Sequence, residues 1–337
     1  MSRIAGLLFW LLPVWLAAGM SPIQMPPASY RSDSFPGFHL EDSKILSFDR
    51  IGGEKFFGIS ALAYDADTGI LYMLSDRSRL FAFALGIEDG KIKSLRPLWG
   101  RRLRDRYGQK YFLKKSDSEG MTLVKAGNRK VLLISFEHDP RVVAFDLKGR
   151  AVGEKVYKRV ADLRRRMRMT QLPEILRRKR EYRSGNKMLE SVAYSEKYGM
   201  LTAPEYPLRH SRTGLHGIYT RKGRLCYVRP HGKDLAITEL EMMDRDSVLA
   251  LQRGVMLGKH LRITLQLLEI DLSQRSGGIC KSRVRLHAST REGWALDNFE
   301  GLTPLGPGRY LMVSDDNDNF FQQTILVLFR LDDYRTD

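Results

Sequence analysis

Five stretches of the chain share one pattern. A small or acidic residue opens an apolar strand, a turn follows, and a second apolar strand closes on a polar residue 14 to 18 positions later. The openings are Ser60, Glu119, Glu190, Glu239 and Glu300, and the closings are Asp76, Glu137, Glu205, Arg253 and Asp315. Such a unit cannot bury both of its faces alone, so several are expected to stack around an axis and shield one another's edges. The openings lie 59, 71, 49 and 61 residues apart. A four-stranded blade takes roughly 40 to 50 residues, so loops and one insertion account for the excess.

The strand signals agree with this reading. Runs such as Gly58 to Tyr64, Gly69 to Ser75, Val131 to Phe136 and Ile263 to Asp271 are rich in β-branched and aromatic residues, with turn residues such as Asp65, Asp67 and Gly69 between them. The expected fold is an all-β propeller of four-stranded blades. Five blades can be counted, and a sixth could occupy the weaker stretch from 195 to 235. The last repeat supplies only three strands, while Lys44 to Asp49 reads as a strand without a repeat of its own. Pairing the two would close the ring and leave no free edge.

In a propeller the innermost strand of each blade lines the channel, so equivalent positions of the repeat converge there. Carboxylates brought together repel and raise one another's pKa unless a cation, a proton or an arginine holds them. Glu119, Glu190 and Glu300 are therefore candidate cation ligands or catalytic bases. Arg253, the one basic closing residue, is a candidate clamp for an oxyanion or phosphate. Together with Arg253, the closings Glu137 and Glu205 are candidate substrate contacts. The run Asp315, Asp316, Asn317, Asp318, Asn319 adds oxygen donors, and the proposed metal set is Glu119, Glu190, Glu300, Asp315, Asp316 and Asn317. All-oxygen donors suit calcium, with magnesium second. Zinc is disfavoured because no paired Cys or His motif occurs and His138 is the only histidine near a closing position. The plainer alternative is a wet channel mouth, its acids satisfied by backbone amides and water.

The recognised nucleophile and cofactor signatures are absent. The chain has no Gly-x-Ser-x-Gly elbow, no catalytic cysteine signature, no phosphate-cradling Walker loop and no dinucleotide fingerprint. Hydrolysis on this scaffold would use a metal and a carboxylate-activated water.

The formal charge of +17 is concentrated. Between Arg150 and Lys187, fourteen Lys or Arg stand against four Asp or Glu, a net of +10. The segment includes Arg164, Arg165, Arg166, Arg168, Arg177, Arg178, Lys179 and Arg180 and falls in the longest gap between openings. Its composition favours helix, broken at Pro173. The expectation is a basic helical insertion at about 160–185, attractive to an anionic membrane surface or an anionic small-molecule substrate. A merely solvated insertion is the alternative. Nucleic acid is not expected as a partner, since no recognition motif accompanies the charge.

Arg3, the apolar run Ile4 to Ala18 and the small residues up to Gly19 have the layout of a secretory signal peptide. An uncleaved N-terminal anchor is the alternative. The chain then divides into a signal peptide (1–19), an N-terminal linker (20–43) and a propeller domain (44–332). A periplasmic or secreted location follows. In an oxidising compartment Cys226 and Cys280 could pair, or they could remain two buried thiols.

Several of these stretches together resemble a known family. Asp117-Ser118-Glu119-Gly120-Met121, Met188-Leu189-Glu190-Ser191-Val192, Asn298-Phe299-Glu300-Gly301-Leu302 and Ser314-Asp315-Asp316-Asn317-Asp318-Asn319 resemble motifs of the phytase-like family, "esterase-like activity of phytase". Gly58-Ile59-Ser60-Ala61-Leu62 with Leu71-Tyr72-Met73-Leu74-Ser75-Asp76 is similar to its opening repeat, and Gln323-Thr324 to its closing strand. The resemblance spans roughly residues 45 to 331. It implies an exported bacterial β-propeller and hydrolysis of phosphoric or carboxylic esters. In the fourth repeat this chain has Gln252-Arg253 where the family pattern has Glu-Arg. The resulting expectation is a cation-dependent phosphoesterase or esterase acting at a carboxylate-lined channel mouth. The alternative is a non-catalytic periplasmic propeller that binds a ligand or partner.

Overall fold

The computed structural model describes residues 19–31, 33–111, 116–126, 129–152, 169–211, 214–256 and 261–332. The chain begins with β1 (Met20–Pro22) and β2 (Phe38–Leu46), then a small ribbon of β3 (Arg50–Ile51) and β4 (Glu54–Lys55). The first blade is β5 (Ile59–Asp65), β6 (Ile70–Ser75), β7 (Arg79–Glu88) and β8 (Lys91–Arg102), paired in that order. The second is β9 (Ser118–Ala126), β10 (Arg129–Phe136) and β11 (Arg141–Phe145).

The third blade comprises β12 (Ala193–Ser195), β13 (Gly199–Leu201), β14 (His216–Thr220) and β15 (Gly223–Val228). Its two hairpins are joined by the Thr202–Tyr219 bridge. This uses the stretch where a sixth blade was conceivable, and the described residues form five blades. The fourth is β16 (Ala236–Met242), β17 (Ser247–Met256), β18 (Arg262–Ser276) and β19 (Ile279–Ser289). The fifth is β20 (Asn298–Gly306), β21 (Arg309–Asp315) and β22 (Thr324–Leu331).

Its outer partner comes from the other end of the chain: β2 pairs antiparallel with β22 from Phe38–Leu331 to Leu46–Thr324, and β1 pairs with β2. Residues 20–22 and 38–43 are therefore strands of the fifth blade rather than linker. The reason is the open edge of β22, whose unpaired N–H and C=O groups β2 satisfies.

The core lies between blades. Successive residues of a strand point to opposite faces, so each inner strand feeds two interfaces. In β5, Leu62 packs with Leu71, Met73 and Phe81 against Leu311, Val313 and Leu326 of the fifth blade. Ala61 and Ala63 instead face Met121, Leu132, Ile134 and Phe136 of the second. In β17, Val248 and Ala250 turn toward the third blade while Leu249 and Leu251 turn toward the fifth.

The described part of the basic segment, 169–185, is pinned by an apolar side. Met169, Leu172, Leu176 and Tyr182 pack on Val124, Leu133, Val192 and Tyr219 of the second and third blades. Arg177, Arg178, Lys179 and Arg180 stay exposed. Among these residues Met169 and Thr170 are helical, and a turn of helix, Glu174–Arg177, starts directly after Pro173 and is followed by a 3-10 turn, Lys179–Glu181. Arg164, Arg165, Arg166 and Arg168 lie outside the described residues, as do residues 1–18 of the expected signal peptide. Among the described residues, no helix is long and apolar enough to cross a membrane. Cys226 and Cys280 are joined as a disulfide between β15 and β19.

Candidate functional site

Backbone register defines which residues are equivalent around the axis. The Asp76 N–H donates to Gly58 O, that of Glu137 to Asp117 O, and that of Glu205 to Met188 O. Arg253 pairs with Ala236, and Asp315 with Asn298. Counting two residues on from each partner gives Ser60, Glu119, Glu190, Thr238 and Glu300. Thr238, not Glu239, is therefore the fourth opening. Register irregularities at Ile59/Ala61, Ile237/Glu239 and Phe299/Gly301 mark the same place in three blades. The slip matters because neighbouring strand residues face opposite ways.

The two hydroxyls at these positions do one job. Ser60 Oγ donates to Leu74 O of its own blade (3.5 Å) and is 2.9 Å from Ser118 O of the next. Thr238 Oγ1 lies 3.3 Å from both Leu251 O and Phe299 O, again one carbonyl in its own blade and one in the next. The remaining three openings, Glu119, Glu190 and Glu300, have carboxylates in place of hydroxyls.

Glu239 does something different. Its carboxylate accepts from the backbone N–H groups of Met121 (3.1 Å), Val192 (3.1 Å) and Leu240 (3.0 Å). A side chain of the fourth blade that reaches the second must cross the centre. Thr122 Oγ1 likewise donates to Glu241 at 3.4 Å. These two buried glutamates, each held well above the usual carboxylate pKa by burial, plug the axis beneath the ring. Gly120 permits the crowding, since a Cβ there would sit 2.5 Å from Glu190 O.

Above the plug, the acids converge around Arg253. Its Nη2 is 3.3 Å from Glu205 Oε1 and 3.4 Å from Glu300 Oε1, and its Nη1 donates to Asn298 Oδ1. Asn298 passes a second bond to Glu300 (2.8 Å). Lys187 Nζ approaches Glu205 at 3.5 Å. Glu137 accepts from the Met188 N–H at 2.8 Å, and His138 pairs with Asp117. One oxygen each from Glu137, Glu190 and Glu205 lie within 4.8 Å of one another, and Asp117, Glu137 and His138 form a second such set sharing Glu137. Glu205 Oε2 is buried without a hydrogen-bond partner, as is Arg253 Nε.

The electrostatics follow from crowding in a buried space. At this separation two unit charges repel by about 3 kcal/mol even at an effective dielectric of 20. Burial, reinforced by neighbouring carboxylates, raises Glu119, Glu190 and Asp315 well above their ordinary values. Burial also pushes Glu137 to about 9, against the opposing bond from Met188, and Asp76 to about 6, against Arg77. Glu300 reaches about 7, with Arg253 restraining the rise. A cation resting against the Glu137, Glu190 and Glu205 oxygens would relieve this strain, and the orphaned Glu205 oxygen fits such a role.

The structure sorts the expected ligands. Glu190 is in the converging set; Glu119, Glu300 and Asp315 line the ring around it. Asp316 instead holds Gly58 N (2.9 Å) and Thr324 Oγ1 (3.1 Å), fastening the fifth blade to the first. Asn317 is exposed, has positive φ, and turns its amide nitrogen to Gln322. The acidic run is thus mainly a turn braced by its own side chains. Glu137 and Glu205, expected as substrate contacts, sit in the converging set. Asp117 and His138 also belong to the site; a signal for them lay in the motif itself, two residues before Glu119 and one after Glu137. Gln252 points away from the channel: it is buried and accepts from Gln266 at 2.7 Å. The departure from Glu at this position leaves the ring untouched.

A family model described as phytase-like, "esterase-like activity of phytase", matches residues 54–318. No relative among curated proteins matches the chain. Among solved structures it is similar to the β-propeller domain of Myceliophteria thermophila Cps50 (Swd1), with 10% identity, TM-score 0.38, and 87% of this chain and 90% of that one covered. It is also similar to the Dos1 propeller (9%, 0.37, 86% and 72%) and to U3-55K (8%, 0.37, 79% and 77%).

Proposed function

The chain belongs to the phytase-like family, "esterase-like activity of phytase", and on that premise we propose that it is a cation-dependent phosphoesterase or esterase working at the mouth of its plugged channel. The observation that carries this is the meeting of Glu137, Glu190 and Glu205 within 4.8 Å beside a buried, unpartnered Glu205 oxygen. These three residues would hold calcium, or magnesium as second choice, which would supply Lewis acidity toward an ester oxygen. Glu300 changes protonation near neutrality, which suits a group that takes a proton from water and returns it to the leaving oxygen. Glu119 stands as its partner on the ring. Arg253, held by Glu205 and Glu300, would lend its positive charge to an anionic oxygen at the ring.

The same proposal places the protein in the periplasm or outside the cell, after removal of residues 1–19. The exposed basic face at Arg177 to Arg180 would then favour anionic membrane surfaces and anionic small-molecule substrates. The test is turnover by the purified chain from residue 20 with calcium or magnesium, using a nitrophenyl phosphate and a short nitrophenyl acyl ester. Activity should vanish on chelation and fall at least about 100-fold in Glu190→Gln and Glu300→Gln. Turnover of neither ester would sink the proposal and favour a ligand-binding propeller.

A further inference from the structure

Seven large apolar side chains are exposed among the described residues: Leu98, Tyr107, Val255, Met256, Leu261, Phe320 and Phe321. Single exposed apolar groups are ordinary on a folded chain, but six of these share one end of the ring. Each inner hairpin closes at the channel mouth, so whatever directly follows a closing residue lies at that end. Phe320 and Phe321 stand in the loop between Asp315 and Thr324, 88% and 81% exposed, with ring centroids 3.7 Å apart. Val255 and Met256 extend β17 beyond Arg253, and Leu261 precedes Arg262, the partner of Met256. Tyr107 follows β8, whose Arg102 end pairs with Arg79 just past Asp76. Leu98 lies within β8, and the turns at the far end contribute none among the described residues.

Exposed cations stand at the same end. Arg106 lies over the Tyr107 ring, 4.8 Å from its centroid, and Arg262 follows Leu261. Lys55 Nζ is 2.5 Å from Asp318, in the loop that carries Phe320. Lys179 Nζ reaches Asp139, just past Glu137, at 4.0 Å, which brings the exposed Arg177 to Arg180 to the mouth end as well. Apolar tips on separate loops, interleaved with Lys and Arg, do not make the continuous core of a protein interface, where Lys is depleted. They match a surface with an apolar interior and an anionic, hydrated skin. Attachment to such a surface grows with the apolar area inserted and with the attraction to anionic lipid, and this end of a chain of charge +17 supplies both.

We propose that the mouth end docks on an anionic lipid bilayer, with Phe320 and Phe321 inserted at the headgroup boundary together with Val255, Met256 and Leu261 of the neighbouring blade. Docking of this kind goes beyond the attraction proposed for Arg177 to Arg180, because it names the groups that enter the lipid and turns the ring toward the bilayer. It shares the anionic surface with that reading and does not depend on hydrolysis at the ring.

Co-sedimentation with vesicles tests it, using the chain from residue 20, which keeps every described strand and leaves out the apolar run Ile4 to Ala18. Vesicles of phosphatidylcholine with phosphatidylglycerol should bind at least about tenfold more tightly than vesicles of phosphatidylcholine alone. Phe320→Ser with Phe321→Ser should weaken binding to the anionic vesicles at least about tenfold, with Tm unchanged. Phe320→Trp should keep the binding and add fluorescence that shifts to the blue on anionic vesicles and is quenched by brominated acyl chains. Unchanged binding in the double Ser variant, no added blue shift in Phe320→Trp, or equal binding to both vesicle types would overturn the proposal. Self-association lost in the double Ser variant, without vesicle binding, would overturn it in favour of a second copy of the chain. Unchanged binding that still weakens with salt would leave the attraction at Arg177 to Arg180 standing while this proposal falls. Turnover of the soluble nitrophenyl esters should not change in the double Ser variant, and docking without turnover would sink the hydrolase reading alone.

Discussion

Removing the Glu239 carboxylate strands the amide N–H groups of Met121 and Val192 in the dry centre of the ring. Each orphaned donor costs about 1–3 kcal/mol, so Glu239→Leu should destabilise by roughly 2–5 kcal/mol in denaturant titration. Glu239→Gln keeps one acceptor and should lose clearly less. Asp76 offers a test with a definite sign. Its folded pKa is raised by burial to about 6, so it contributes stability that is fully present below its unfolded value of 3.8 and is lost as pH rises through about 6. Without divalent cations, the stability of the wild type relative to Asp76→Asn should therefore fall between pH 4 and pH 8. A flat or rising difference would contradict the partial burial of this group.

The elements are fastened to one another where the sheet hydrogen bonds are sparse. Between β15 and β19 the parallel pairing is limited to Tyr227–Ile279, and the Cys226–Cys280 bond lies beside it. The link spans 54 residues of sequence. In the chain-entropy model a loop of this size stabilises by about 4 kcal/mol, so Cys226→Ser with Cys280→Ser should lose roughly 2–4 kcal/mol. In the fifth blade β2 covers β22 without a covalent link. There the ladder is long, eight paired positions from Phe38 to Leu46, and needs none.

At the scale of the whole molecule, the first, second, third and fifth blades direct acids to one end of a plugged axis, while Arg177 to Arg180 stand exposed between the second and third blades. An ion that binds only the folded ring stabilises by about 2.7 kcal/mol at 100 times its Kd. Calcium or magnesium should accordingly raise Tm by roughly 5 °C or more at saturation. Glu190→Gln combined with Glu205→Gln should abolish the shift. If the double variant responds as the wild type does, the cation binds elsewhere.

The strands, their turns and the repeat spacing were legible in the sequence because strand burial writes a period of two into the chain, and because a blade that cannot bury itself must recur. Ser60, Glu119, Glu190 and Glu300 were found as ring positions by that recurrence alone. Glu239 was not separable from Thr238, since a bulge shifts register by one residue and leaves no compositional trace. The same limit hid the role of Asp316, whose partners Gly58 and Thr324 become neighbours only when the fifth blade meets the first. Tertiary structure alone decided which carboxylates share a buried space with Arg253 and which two glutamates plug the axis. Periodicity is a local property of a strand, whereas distance, burial and partnership depend on residues far apart in the chain.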